Sequence, residues 1–285
     1  MKPEWLKVKL GGGEEYNKVK DILNSKNLNT VCQAASCPNI GECFSRGTAT
    51  FMILGDVCTR DCRYCDVKTG VPSKVNPREA FKIADAVKEL NLKYVVITSV
   101  TRDDLNDGGA RTFKNTITAI RKVSDAKIEV LTPDFKGDSD AIRTVLSAEP
   151  DVFAHNIETV ERLFPLVRPE ADYKRSMIIL KRIKEIDPKQ ITKSGLMVGL
   201  GESKEEIVKT MRTLKMVGVD ILTIGQYLQP RKDLLPVSKY YTPMEFLELR
   251  SIGLKMDFKH VESGPLVRSS YHAEEALSTP DYKSI

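Results

Sequence analysis

The chain has 285 residues, 41% hydrophobic and 29% charged, with a net charge of +5. That length and composition fit one large barrel or two average soluble domains, and they exclude a small scaffold that depends on disulfide staples. The lysines and arginines are spread along the chain, so no nucleic-acid footprint is expected.

Residues 1–15 read as an extended arm with a flexible Gly11-Gly12-Gly13. A short amphipathic helix should follow, with Tyr16, Val19, Ile22 and Leu23 on one face. Residues 29–49 show little periodicity. From residue 50 a rhythm sets in. TFMILGDV reads as a strand, and a helix is expected from Pro77 to Leu90, with Asn76 as its N-cap and Glu79 completing a capping box. KYVVITSV (93–100), KIEVLTP (127–133), DVFAHNIE (151–158), ITKSGLMVGL (191–200) and DILTIGQYL (220–228) read as further strands. Helices are expected between them over 110–123, 138–148, 172–187 and from Ser203 to about Val217. Thr242-Pro243-Met244-Glu245 opens another capped helix, and an extended piece spans 258–261.

About six strand–helix units with β-branched strands argue for a parallel α/β architecture. That is too few for a complete eight-stranded barrel, so the expected fold is α/β, a partial (β/α)6 barrel. A doubly wound sheet is the alternative, although no G-x-G-x-x-G follows the first strand. Chemistry in such folds sits at the C-terminal strand ends. Those ends carry Cys58, Cys62 and Cys65; Thr98, Ser99, Arg102, Asp103 and Asp104; Thr132 and Asp134; His155, Asn156 and Glu158; Gly199, Gly201 and Glu202; Gln226 and Tyr227.

All six cysteines fall between residues 32 and 65. Cys32, Cys37 and Cys43 have C-x4-C-x5-C spacing; Cys58, Cys62 and Cys65 have C-x3-C-x2-C spacing. The N-terminus has no apolar run of signal-peptide length, and no stretch reaches the roughly 18 apolar residues of a membrane span. A cytoplasmic, reducing location is therefore expected, and metal binding is favoured over disulfides. Thiolates are soft ligands for zinc, copper(I) or iron–sulfur clusters. Three of them leave one iron of a [4Fe–4S] cube without a protein ligand, whereas an electron-transfer cluster normally has four cysteines.

The second triplet, with Tyr64 before its last cysteine and a strand before its first, resembles the radical S-adenosylmethionine (SAM) superfamily. The stretches LNTVCQAASCPNIGEC, CTRDCRYC, TSVTRDDLNDGGA, HNIETV, SGLMVGLGE, LTIGQYLQP and GPLVRSSYHA together resemble the lipoyl synthases, over nearly the whole chain. The resemblance implies two [4Fe–4S] clusters and SAM as cofactors. It implies a first cluster on Cys58, Cys62 and Cys65. It implies a second, auxiliary cluster on Cys32, Cys37 and Cys43, with a serine of Arg268-Ser269-Ser270-Tyr271 as fourth ligand, Ser270 before Ser269. Arg268 would orient that serine or the substrate. SAM contacts are expected from Thr98, Ser99, Asp104, Asn156 and Glu158, although a capped polar loop is an alternative reading of 98–104. His155 is either a ligand contact or a core histidine. Two departures stand out from the family pattern: Leu234 where many members have histidine, and Phe44 where they often have tryptophan.

The reaction implied is radical insertion of two sulfur atoms at C6 and C8 of a protein-bound octanoyl-lysine. The implied partners are an octanoylated lipoyl-carrier domain (2-oxoacid dehydrogenase E2 or glycine cleavage H protein), a reductant such as ferredoxin or flavodoxin, and an iron–sulfur cluster carrier. No membrane partner is expected, and the chain should be a monomer. The expected domains are 1–49, an N-terminal extension with the auxiliary cysteines; 50–262, the barrel; and 263–285, a C-terminal extension with the RSSY motif. Other sulfur-inserting radical enzymes (biotin synthase-like or methylthiotransferase-like) and a non-catalytic iron–sulfur carrier remain as alternatives.

Overall fold

The computed structural model describes residues 3–8, 11–46 and 48–277. The end of the expected C-terminal extension, 278–285, lies outside the described residues. The chain folds as two compact units. The first comprises Val8–Asp61 and Asp66–Phe153; the second comprises Met1–Lys7, Cys62–Cys65 and Ala154–Ile285.

The first unit opens with α1 (Glu14–Ser25), which buries Val19, Ile22 and Leu23, three of the four residues the periodicity selects. The cysteine-rich segment that follows has more regular structure than its sequence suggests. β1 (Asn29–Thr30) leads into two short helices, α2 (Val31–Ala34) and α3 (Ile40–Ser45). The Thr30 side chain caps α2 by accepting from the Gln33 N–H. β1 pairs antiparallel with β2 (Thr50–Ile53). β3 (Val57–Cys58) pairs parallel with β4 (Lys68–Thr69), so this small ladder brackets the second cysteine triplet in sequence.

Two strand–helix repeats then build the sheet of this unit. Parallel to β2 runs β5 (Tyr94–Ser99), and parallel to β5 runs β6 (Lys127–Leu131). Between and after them come α4 (Glu79–Glu89), α5 (Ala110–Arg121) and α6 (Ser139–Leu146). Phe51, Ile53, Val95 and Ile97 on the strands and Ile83, Val87, Phe113 and Ile117 on the helices are all buried. Strands covered by helices read as near-continuous apolar runs for this reason.

The start of α4 departs from its reading. Asn76 does not cap the helix: its Oδ1 accepts from the Arg78 N–H in a turn before it. Glu79 does not look back to close a box either. Its Oε2 accepts from the Leu54 N–H at 2.8 Å, in the turn after β2 where Leu54 and Gly55 have φ of 71° and 95°. Burial pushes the Glu79 carboxyl above its usual range, against the N–H groups of Leu54 and Gly55. Satisfying a buried backbone donor outweighs a local cap.

At β7 (Val152–Ala154) the chain passes from the first unit to the second. The strand read as 151–158 is regular only over Val152–Ala154; further on, Glu158 meets Leu196 in an isolated parallel bridge with φ of 68°. The second unit then builds α7 (Phe164–Val167), α8 (Tyr173–Ile186), β8 (Ile191–Val198), α9 (Lys204–Met216), β9 (Ile221–Gln226), α10 (Pro243–Lys255) and β10 (His260–Gly264). β8, β9 and β10 are parallel neighbours. Leu196, Val198, Ile207, Met211, Leu222, Ile224, Phe246 and Val261 form part of one core cluster. Both expected capping boxes are present, Ser203 with Glu206 and Thr242 with Glu245. The expected N-terminal arm contains a helical turn, Glu4–Leu6, and Trp5 Nε1 donates to the Tyr241 carbonyl at 3.2 Å. The fold class is α/β as expected: β2, β5, β6, β7, β8 and β9 supply the six strands of the (β/α)6 alternation, and β10 adds one more.

Ser203→Ala and Thr242→Ala should each lower stability by about 1 kcal/mol, read as a lower urea midpoint. Asn76→Ala, which removes no helix cap, should change it by no more than about 0.5 kcal/mol.

Candidate functional site

In the first unit Cys32 lies in α2 and Cys43 in α3, with Cys37 in the turn between them. The Cys37 N–H donates to the Cys32 carbonyl at 3.0 Å and the Cys43 N–H to the Asn39 carbonyl at 2.9 Å. Ser36 adopts a left-handed φ of 49° just before Cys37, which turns the chain between the short helices. Burial pushes the Cys32 thiol up to about 11, and a backbone hydrogen bond from Thr50 works against it. Burial pushes Cys43 up to about 12, with Cys32 and Cys37 adding to the shift. The three sulfurs therefore lie within electrostatic reach of one another. All six cysteines are thiols rather than disulfides. Among the described residues no three His, Cys, Asp or Glu side chains already converge on a metal position. The donor set still fits iron: three soft ligands, Cys32 buried and Cys37 and Cys43 half-buried, whose protons leave when a metal binds.

Cys58 closes β3. Its sulfur accepts from the Thr101 N–H at 3.3 Å and the Arg60 N–H at 3.5 Å. Three residues expected to contact SAM lie in the same unit. Thr98 is committed to the sheet, its Oγ1 donating to the Leu131 carbonyl at 3.0 Å. Asp104 accepts both arms of Arg102, at 2.9 and 2.8 Å, and this pairing lowers its pKa. Ser99 differs: its hydroxyl oxygen is buried with no hydrogen-bond partner in the protein. A buried orphan at a strand end is what a ligand contact needs.

In the second unit Cys62 and Cys65 sit on one tight turn, the Cys65 N–H donating to the Cys62 carbonyl at 3.0 Å. The backbone of Arg63, between them, is held from both sides. Its N–H donates to the Val167 carbonyl at 3.0 Å, and its carbonyl accepts from the Leu235 N–H at 3.1 Å. Burial pushes the Tyr64 phenol far up, with Glu158 and Cys62 adding to the shift. Burial also raises the Glu158 carboxyl, opposed by the Arg168 charge and by hydrogen bonds from Asn156 and Tyr64. Arg168 is buried, donates Nη1 to the Asn156 carbonyl at 3.1 Å and lies 5.2 Å from the centre of the Phe164 ring.

Asn156 connects this group to the RSSY motif, since Ser269 Oγ donates to its Oδ1 at 3.1 Å. Gly195 leaves room for that arrangement: a Cβ there would lie 2.8 Å from Asn156 Oδ1. Arg268 Nη1 turns back to the Val267 carbonyl at 2.7 Å. Gly225 admits this carbonyl, which would stand 2.0 Å from any Cβ at that position. Ser270 is half-buried. His155 is buried, 1% exposed, and its N–H donates to the Lys193 carbonyl. Glu202 closes its own turn by accepting from the N–H groups of Gly199 and Leu200.

The second unit thus brings Tyr64, Asn156, Glu158 and Ser269 into one network. Arg168, also in it, has no motif to announce it: in FPLVRPE it looks like a surface residue before a proline. Arg60 was equally hidden, although its partners Asp103 and Asp134 stand among the polar strand ends.

Comparison with known proteins gives the family. The radical SAM superfamily profile matches residues 52–214, and the profile of the N-terminal domain of lipoyl synthase matches residues 1–37. The lipoyl synthase of Rubrobacter xylanophilus is 58% identical over 96% of this chain and 86% of its own length. That of Caldanaerobacter subterraneus is 53% identical over 97% of both chains, and that of Bacillus cereus 52% over 99% of this chain and 96% of its own. Among solved structures, methylornithine synthase superposes with a TM-score of 0.57 at 12% identity, over 78% of this chain and 73% of that one. TYW1 with a lysine–pyruvate adduct gives 0.55 at 12% identity, over 84% and 89%. Likeness at that identity shows the shared fold. Superfamily membership implies a [4Fe–4S] cluster and SAM. No helix among the described residues is long and apolar enough to cross a membrane. The chain belongs to the lipoyl synthase family of the radical SAM superfamily.

Proposed function

We infer that this chain inserts two sulfur atoms at C6 and C8 of an octanoyl chain held in amide linkage on a carrier-protein lysine. The observation that carries the reading is 52–58% identity to curated lipoyl synthases over nearly the full chain. Cys58, Cys62 and Cys65 are the proposed ligands of the SAM-binding cluster. When bound, the cluster and SAM supply a 5′-deoxyadenosyl radical, a reagent able to take hydrogen from an unactivated C–H bond. Cys32, Cys37, Cys43 and Ser270 are the proposed ligands of a second [4Fe–4S] cluster, which is consumed as the sulfur source. A serine oxygen is a poorer iron ligand than a thiolate, and a weakly held corner suits a cluster that must come apart.

The chain's own groups have distinct tasks in this reading. Ser99, with its unsatisfied buried hydroxyl, is the best supported of the SAM contacts. Asn156 and Glu158 are further candidates, both held by Arg168. Thr98 and Asp104 act by shaping the loop, because their side chains already hold Leu131 and Arg102. Arg268 orients the serine ligand or the substrate amide. The division into 1–49, 50–262 and 263–285 follows these roles: auxiliary cysteines, radical chemistry and RSSY closure.

The carrier is proposed to be the lipoyl domain of a 2-oxoacid dehydrogenase E2 or the glycine cleavage H protein, with ferredoxin or flavodoxin as reductant. A separate iron–sulfur carrier would rebuild the second cluster. The protein is proposed to act as a cytoplasmic monomer.

After anaerobic reconstitution the chain should hold about eight irons. Cys32→Ala should still form 5′-deoxyadenosine from SAM yet insert no sulfur, whereas Cys62→Ala should lose both activities. A well-loaded wild type that never cleaves SAM would instead favour an iron–sulfur carrier. Ser270→Ala should abolish sulfur insertion and keep SAM cleavage, with Ser269→Ala milder; chromatographic assay of 5′-deoxyadenosine and lipoyl product separates the two.

A further inference from the structure

Arg60 lies in the loop between Cys58 and Cys62, where a charged side chain would be expected in solvent. It is 4% exposed. Its guanidinium grips Asp103 with two parallel bonds, Nε to Oδ2 at 2.7 Å and Nη2 to Oδ1 at 2.9 Å. Nη2 also donates to Asp134 Oδ1 at 2.6 Å, and Asp134 is fully buried. One side chain thereby joins the segments that follow β3, β5 and β6.

The backbone around it is stitched to match. The Thr59 N–H and Oγ1 both donate to the Thr101 carbonyl at 3.0 Å, and the Asp103 N–H donates to Thr59 Oγ1 at 3.0 Å. Beyond Asp134, Phe135 and Lys136 hold positive φ of 42° and 51°. Such backbone persists only where its surroundings over-determine it. Lys136 Nζ also donates to the Asp103 carbonyl at 3.0 Å. At the centre of this frame the two N–H groups of Thr101 and Arg60 point at the Cys58 sulfur.

We propose that Arg60 is a positioning residue that, through Asp103 and Asp134, fixes the two N–H donors on the Cys58 sulfur and so sets the reduction potential of the cluster bound there. The inference rests on the assignment of Cys58, Cys62 and Cys65 as cluster ligands. The physical ground is that a reduced cluster carries one more negative charge, which donors on its sulfurs stabilise. Loosening the frame therefore moves the potential down, and the electron needed to cleave SAM becomes harder to supply.

The test compares wild type, Arg60→Lys, Asp134→Asn and Cys62→Ala, each reconstituted anaerobically as the full chain. Lysine keeps the charge but not the planar fork, and Asp134→Asn removes a charge while keeping an acceptor. The readouts are iron content, the midpoint potential of the cluster whose EPR signal changes on adding SAM, and the rate of SAM cleavage. Arg60→Lys and Asp134→Asn should keep wild-type iron and show a more negative potential. SAM cleavage should be about tenfold slower and should recover with a lower-potential reductant, while the KM for SAM stays unchanged. A wild-type potential in both variants overturns the proposal. Loss of the cluster in both overturns it too, since the frame would then hold iron rather than tune it. A SAM-responsive signal that survives in Cys62→Ala overturns the ligand assignment itself, and the proposal falls with it.

Discussion

A guanidinium taken out of water is held in place by two carboxylates, and the first unit depends on that arrangement. Arg60, Asp103 and Asp134 bring three chain segments to one point. Burying such a group has a desolvation cost that its Coulomb attraction only partly offsets, so the gain is geometric definition more than stability. Removing one member would leave buried charge uncompensated, at about 3–5 kcal/mol. The turn after β2 is treated in the same way. Glu79 takes the N–H of Leu54, and Arg102 donates to the Leu54 carbonyl at 3.1 Å. Several polar groups at the strand ends are in this way committed to one another.

The second unit uses a different buried pair for a comparable end. Glu158 is pushed toward its neutral form by burial and held against that by Arg168, Asn156 and Tyr64. Tyr64 belongs to the turn that carries Cys62 and Cys65, so the carboxylate is connected to the cysteine turn through a phenol. Asn156 carries the connection on to Ser269. A network of this kind is worth more whole than in parts, because in low dielectric a half-satisfied member is costly. In the first unit the Ser99 hydroxyl, buried without a hydrogen-bond partner, is a group that a ligand would satisfy.

Much of this was legible in the residues, and the limits have physical causes. Capping boxes at Ser203 and Thr242 are local signals, and both formed. Asn76 and Glu79 carry the same pattern, but the Leu54 N–H, 25 residues away, claims the carboxylate. The strand read through Glu158 is regular only to Ala154, and Glu158, with a positive φ of 68°, rejoins Leu196 as an isolated parallel bridge, a break that no alternation pattern reports. The cysteine triplets could be read because soft donors at short spacing have few other uses. Arg60 and Arg168 could not: the carboxylates paired with Arg60 lie 43 and 74 residues away, and no periodicity reports a contact of that range. The two short helices carrying Cys32 and Cys43 were also missed, being too short to show a period.

The central claim is that this chain gives up sulfur from its own auxiliary cluster to an octanoyl group. The most direct measurement is mass spectrometry of an octanoylated carrier peptide after a single anaerobic turnover, with the protein reconstituted using isotopically labelled sulfide. The account predicts a product with one labelled sulfur, followed by one with two. An octanoyl peptide left unchanged while 5′-deoxyadenosine accumulates, or a thiolated product without the label, would contradict it.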